Sequence, residues 1–169
     1  MNLSFSEKFN GEETFFLQQI WSGLIRSNPE DVEFSEMLEN YKEYRNSYYE
    51  KFNKLWGYAA GRKKFHTIRK NQKGRWKVGN KIHFIINSRT PERFQFAPVL
   101  TLKKIQTVQV LYNGKGENVT VKIDGRLLHD EKIKRLALND GFESVENFFK
   151  WFNEDYEGVI LHWTNFVKY

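Results

Sequence analysis

The chain is predicted to fold as an α+β domain built on a small β-barrel. Three observations carry that expectation. Short strand-like runs outnumber helical stripes, no β-α-β alternation appears, and one hairpin signal is strong. The hairpin joins Val108-Gln109-Val110-Leu111-Tyr112 to Val119-Thr120-Val121-Lys122-Ile123 through the turn-forming run Asn113-Gly114-Lys115-Gly116-Glu117. At 169 residues, 40% hydrophobic and 17% aromatic, the chain has the apolar surface for one well-cored domain.

Leu3 and Phe5 alternate with polar neighbours as in a short strand, and Gly11 breaks the run. Phe16, Leu17, Ile20 and Trp21 then form one helical stripe, with Ser22-Gly23 as its predicted end. Asn28, Pro29, Glu30 and Asp31 read as a helix start: a cap, a proline in the first turn, and acids near the positive end of the dipole. Phe34, Met37, Leu38, Tyr41, Tyr44, Tyr48, Phe52 and Leu55 follow, mostly three or four apart. That spacing predicts one long amphipathic helix over residues 30–55, ending at Gly57. Its tyrosine-rich stripe is expected to be a packing face, or a partner interface if it overhangs the domain.

A strand is expected from about His66, and another over Ile82-His83-Phe84-Ile85-Ile86. Residues 94–110 read as extended chain, with Pro91 and Pro98 at edges or bends because proline donates nothing to a ladder. Asp124-Gly125 makes a turn after the hairpin. Ile133, Leu136 and Ala137 predict a short helix broken at Asn139-Asp140-Gly141. Ser144 caps another through Phe148, Phe149, Trp151 and Phe152, which Gly158 should end before a last strand over residues 159–167.

Charge is distributed unevenly. Residues 61–91 hold ten Lys/Arg and no Asp/Glu, whereas the remainder holds 17 basic against 21 acidic residues. Such a window points to an anionic partner, with nucleic acid or a nucleotide first. With no cysteine there is no disulfide framework, thiolate nucleophile or cysteine-based zinc site. His66, His83, His129 and His162 lack ligand spacing, so no metal or other cofactor is expected. No apolar leader or run of about 18 apolar residues occurs, so a cytoplasmic chain without a membrane partner is expected.

Within the window, Lys64, Thr67 and Arg69 form the one arrangement with chemistry. In a strand, Thr67 and Arg69 face the same side. A lysine among Arg62, Lys63 and Arg69 has its ammonium form disfavoured by like charge, and by desolvation if buried. It could then take the Thr67 hydroxyl proton, while Arg69 holds an oxyanion or a phosphate. The same three side chains could equally contact phosphates with no chemistry. Asp140 sits against the negative end of a helix dipole, either as a functional carboxylate or as ordinary turn chemistry.

Lys64-Phe65-His66-Thr67-Ile68-Arg69, then Arg75-Trp76-Lys77-Val78-Gly79-Asn80-Lys81-Ile82, then Leu136-Ala137-Leu138-Asn139-Asp140-Gly141-Phe142 together resemble the ASCH domain family. The resemblance implies a single PUA-like β-barrel domain over residues 1–169, with flanking helices and a cleft suited to RNA or a nucleoside. The long helix would be an insertion at about residues 26–60. One bacterial branch, which removes acetyl from N4-acetylcytidine, is similar at the lysine motif. That similarity carries its catalytic lysine and threonine onto Lys64 and Thr67, and its glutamate onto Asp140, which is one methylene shorter.

Two function classes follow, and whether the protein is an enzyme is left open. In the first, an amidohydrolase acts on a modified cytidine through Lys64, Thr67 and Asp140, with Arg69 stabilising charge. In the second, a non-catalytic RNA-binding module uses Lys63, Arg69, Arg75 and Lys77 on phosphates, with Phe65 or Trp76 stacking on a base. A third reading is a protein-interaction module, or self-association, through the inserted helix.

Overall fold

The computed structural model describes residues 1–28, 32–57, 59, 61–113 and 118–169. Among them the chain has four helices and eleven strands in open sheets. The α+β class is observed, but no sheet closes into a barrel among the described residues. The chain forms two compact units, Met1–Lys64 with Gly79–Thr101, and Phe65–Val78 with Leu102–Tyr169.

In the first unit, β1 (Asn2–Phe5) runs parallel to the central strand of its sheet. A two-residue hairpin follows, β2 (Lys8–Phe9) to β3 (Glu12–Glu13), around Asn10 and Gly11. Both turn residues take positive φ (51° and 86°), which suits an Asn-Gly pair. Helix α1 (Phe16–Ser27) buries Phe16, Leu17, Ile20, Trp21 and Leu24, the predicted stripe extended by a turn. It does not stop at Ser22-Gly23. Gly23 is mid-helix because the backbone of Lys64 lies directly on it, and the Lys64 N–H donates to Gln19 O at 2.9 Å.

Asn28 closes α1 rather than opening the next helix. Its φ is 42°, and its N–H donates to Leu24 O, satisfying a terminal carbonyl. The remaining expected start signals, Pro29, Glu30 and Asp31, lie outside the described residues. Helix α2 (Phe34–Phe52) is shorter than expected at both ends, with Asn53 as its left-handed cap. Met37 and the tyrosine part of its stripe form a packing face, whereas Phe34 and Leu38 are exposed. Trp21 meets the rings of Tyr41 and Tyr44 at 5.3 and 5.9 Å, and Tyr48 packs among Phe52, Trp56 and Phe94.

In the second unit, β4 (His66–Arg69) is an edge strand. In the first, β5 (Lys81–Ile86) pairs with β1, β6 (Phe94–Gln95) and β7 (Leu100–Thr101). The expected hairpin is β8 (Lys104–Asn113) and β9 (Asn118–Ile123), with Tyr112 opposite Val119. The Gly114, Lys115, Gly116 and Glu117 part of its loop lies outside the described residues. With β10 (Arg126–Leu127) and β11 (Tyr156–His162), these make an antiparallel sheet of order β10-β9-β8-β11-β4. It is open because its end strands, β10 and β4, do not pair with each other.

One face of that sheet carries Ile68, Val108, Val110, Val121 and Ile160. They share a core with α3 (Asp130–Asn139) and α4 (Val145–Trp151) through Leu136, Phe148 and neighbours. Ser144 caps α4 as expected, accepting from Asn147 N–H at 3.2 Å. Gly158 is not a helix stop. It lies inside β11, where a Cβ would come within 2.6 Å of Arg69 O. The last strand accordingly runs from Tyr156 to His162 rather than over residues 159–167.

The basic window is contiguous in sequence but divided between the units, since residues 65–78 belong to the second and the flanking residues to the first. Among the described residues, no helix is long and apolar enough to cross a membrane.

Candidate functional site

Lys64 is the last residue of its segment in the first unit and is 1% exposed. Its ammonium lies 4.5 Å from the centroid of the Phe16 ring, a cation–π distance. Burying a lysine is costly unless its head group is partnered.

In the second unit, β4 pairs with β11, placing Thr67 opposite Leu161 and His66 opposite His162. Thr67 and Arg69 are on one side of β4, as alternation predicts, and Thr67 is 1% exposed. Asp140 caps the C-terminus of α3 and is 3% exposed. Burial pulls the Arg69 guanidinium below its ordinary range, and Asp140 first and then Tyr156 oppose that shift. The Tyr156 phenol is pushed up, by burial first, helped by Asp140 and opposed by Arg69. Arg69, Asp140 and Tyr156 thus form one electrostatic group, of which only the first two are legible in the sequence.

A second group surrounds Asp140. His66 Nδ1 stands 3.7 Å from Asp140 Oδ1, and His66 Nε2 stands 2.7 Å from Tyr169 Oη. Asn139 Nδ2 donates to the same phenol oxygen at 2.9 Å. Tyr169 keeps its hydrogen, since burial raises its pKa. With Oη accepting from Asn139 and donating to His66 Nε2, the network assigns the ring proton to Nδ1, facing the carboxylate. Donation then runs from Asn139 through Tyr169 and His66 toward Asp140. At 3.7 Å the last step is too long for a hydrogen bond, and with a neutral ring it is a contact of the N–H dipole with the carboxylate.

His162 lies beside this group, its ring 5.3 Å from that of His66. Burial, and then Lys104, push its pKa down to about 4, against an opposing pull from Asp124. An unfolded histidine titrates near 6.5, so between about pH 6.5 and 4 the unfolded chain binds more protons than the folded one. Stability from this residue is fully present above that window and is lost as pH falls through it. The loss approaches about 3 kcal/mol. Urea denaturation of the wild type and His162→Asn at pH 7.5 and 4.5 should show a smaller pH effect in the variant. Equal pH effects would remove His162 as the cause.

The other expected binding residues divide by exposure. Lys63, Arg75 and Lys77 are exposed. Lys63 Nζ donates to Gly61 O at 3.2 Å, and the Arg75 guanidinium covers the Trp76 ring at 4.9 Å. Phe65 and Trp76 are buried at 7% and 3%, and Phe65 stacks on Phe166 at 4.8 Å. A base stacking on either ring would have to displace these neighbours.

Sequence reading missed His66, His162, Asn139, Tyr156 and Tyr169 as a group. They meet through strand register and through a residue at position 169, and neither leaves a local signal. Among the described residues, no cluster of three or more His, Asp or Glu could hold a metal ion. No family model matches this chain, and no curated protein or solved structure matches it either.

Proposed function

We propose that this protein is an ASCH-like, PUA-like domain that binds RNA or a nucleoside and hydrolyses the acyl-amide of a modified cytidine such as N4-acetylcytidine. Lys64 serves as base toward the Thr67 hydroxyl, and Thr67 attacks or polarises the acyl carbonyl. Arg69 stabilises the oxyanion, and Asp140 anchors the amide or protonates the departing nitrogen. If Thr67 attacks, cytidine departs as an acetyl ester forms on Thr67, and water then hydrolyses that ester to acetate. If Thr67 only polarises, water attacks the carbonyl, and acetate and cytidine separate together.

The observation that carries this reading is the burial of Lys64, Thr67 and Asp140, each under 4% exposed. Side chains that only meet phosphates work from the surface and need no such burial. A buried lysine is also the kind whose neutral form becomes accessible as a base. Because Lys64 is covered, turnover would include an opening step before chemistry.

A second reading, RNA binding without chemistry, is favoured by the exposed cations Lys63, Arg75 and Lys77. Salt separates the two. Nucleoside turnover should change by less than about twofold between 50 and 200 mM salt, whereas binding carried by several phosphate contacts falls steeply over that range. Salt-sensitive RNA affinity with no nucleoside turnover would select the second reading.

A further inference from the structure

A pocket of about 690 Å³ lies wholly within the first unit. Its walls come from the β1–β3 region, the start of α1, the end of α2 and the turn after β5. That volume is in the range of small-molecule sites.

Its polar centre is Glu7, half-buried and held at both oxygens. Tyr48 Oη donates to Oε1 at 2.9 Å, and Asn87 Nδ2 donates to Oε2 at 3.4 Å. Tyr48 keeps its hydrogen for that bond, since burial and the Glu7 contact raise its pKa. Each carboxylate oxygen retains a further lone pair, and a carboxylate can only accept.

Phe15 also lines the pocket, a bulky residue held at φ 54°, where side chains other than glycine, asparagine and aspartate are seldom found. The Arg62 guanidinium lies over one face of the Phe15 ring at 5.7 Å, so a base would use the other face or displace it. Gln18 fixes the same corner when its amide is oriented to donate to Phe15 O (3.1 Å) and accept from Gly57 N–H (3.2 Å). Exposed Lys8, Lys54 and Arg89 stand at the rim. Lys8 is paired with Glu13 at 3.5 Å.

We propose that this pocket is a nucleotide site selective for guanine, with the base against Phe15, its donor edge on Glu7 and its phosphate at Arg89 and Lys54. An aromatic ring, an acceptor-only group and outer cations match, in that order, a base face, a donor edge and a phosphate. Guanine presents two adjacent N–H donors, N1–H and the N2 amino group, which a two-oxygen acceptor can take together. Adenine and cytosine set an acceptor nitrogen beside their amino group, which a carboxylate repels. The site does not depend on the hydrolase reading.

The test is calorimetric titration of the full chain with guanosine 5′-monophosphate, adenosine 5′-monophosphate and guanosine. Parallel titrations use short single-stranded RNAs with and without guanosine. The guanine nucleotide should bind about tenfold or more tighter than the adenine one, the discrimination expected of a two-point contact. Glu7→Gln should erase that preference. Arg89→Ala, at an exposed position, should weaken the monophosphate several-fold and leave guanosine unchanged. A guanine preference for the free nucleotide alone identifies a small-molecule ligand, and one for RNA alone identifies a guanosine within a strand. Absence of guanine preference in both arms, or preference surviving in a folded Glu7→Gln variant, would overturn the proposal. Equal loss of monophosphate and guanosine affinity in Arg89→Ala would overturn the placement of the phosphate.

Discussion

Lys64→Ala is expected to lower kcat/KM for N4-acetylcytidine by about 10²-fold or more, the scale of a lost general base. The wild-type side chain is 1% exposed, with its ammonium over the Phe16 ring. Truncation removes the group that would take the Thr67 proton, and no other lysine of the motif is buried, since Lys63 is exposed. The Lys64 backbone bond to Gln19 O does not involve the side chain, but truncating a buried side chain leaves a cavity and costs stability. Thermal melting of the variant provides the control. A variant that melts like the wild type and has lost turnover assigns Lys64 to the chemistry. A variant with wild-type turnover would exclude it.

Gly23→Ala is expected to destabilise the protein by roughly 2 kcal/mol, against the trend of helix propensity. In an exposed helix interior, alanine is better than glycine by about 1 kcal/mol. Here a Cβ at position 23 would fall well inside van der Waals contact of Lys64 O and 3.0 Å from its carbonyl carbon. Both are backbone atoms, so no side-chain rotation relieves the overlap, and α1 or the residue 64 segment must shift. Urea denaturation measures the sign directly. A stabilised Gly23→Ala protein would show that Lys64 does not lie on α1 as described. The same shift should reduce any activity that depends on where Lys64 is held.

The parts of the fold legible in the sequence were those set by local chemistry. The Ser144 cap, the Val108–Ile123 hairpin, and the stripe through Phe16 and Ile20 depend on neighbours a few residues apart. The errors arose where a distant contact overrode a local signal. Gly23 reads as a helix stop but is a packing notch for Lys64, and Gly158 reads as a stop but gives room for Arg69 O in a strand. Asn28 is a good cap on either side of a helix, and it closes the earlier one.

The candidate site divides in the same way. Lys64, Thr67, Arg69 and Asp140 stand out by residue type and spacing. The Asn139-Tyr169-His66 network beside Asp140 exists only because β4 and β11 pair in one register and Tyr169 comes to lie beside them. The division of the basic window between two units is equally invisible in a charge count, because charge carries no topology.

The most direct test of the hydrolase reading is deacetylation of N4-acetylcytidine by the purified wild-type protein, followed as release of cytidine, with Lys64→Ala alongside. Turnover is expected from the wild type, and about 10²-fold less, or none, from the variant. No turnover by the wild type at high enzyme concentration, or equal rates from the two proteins, would contradict it.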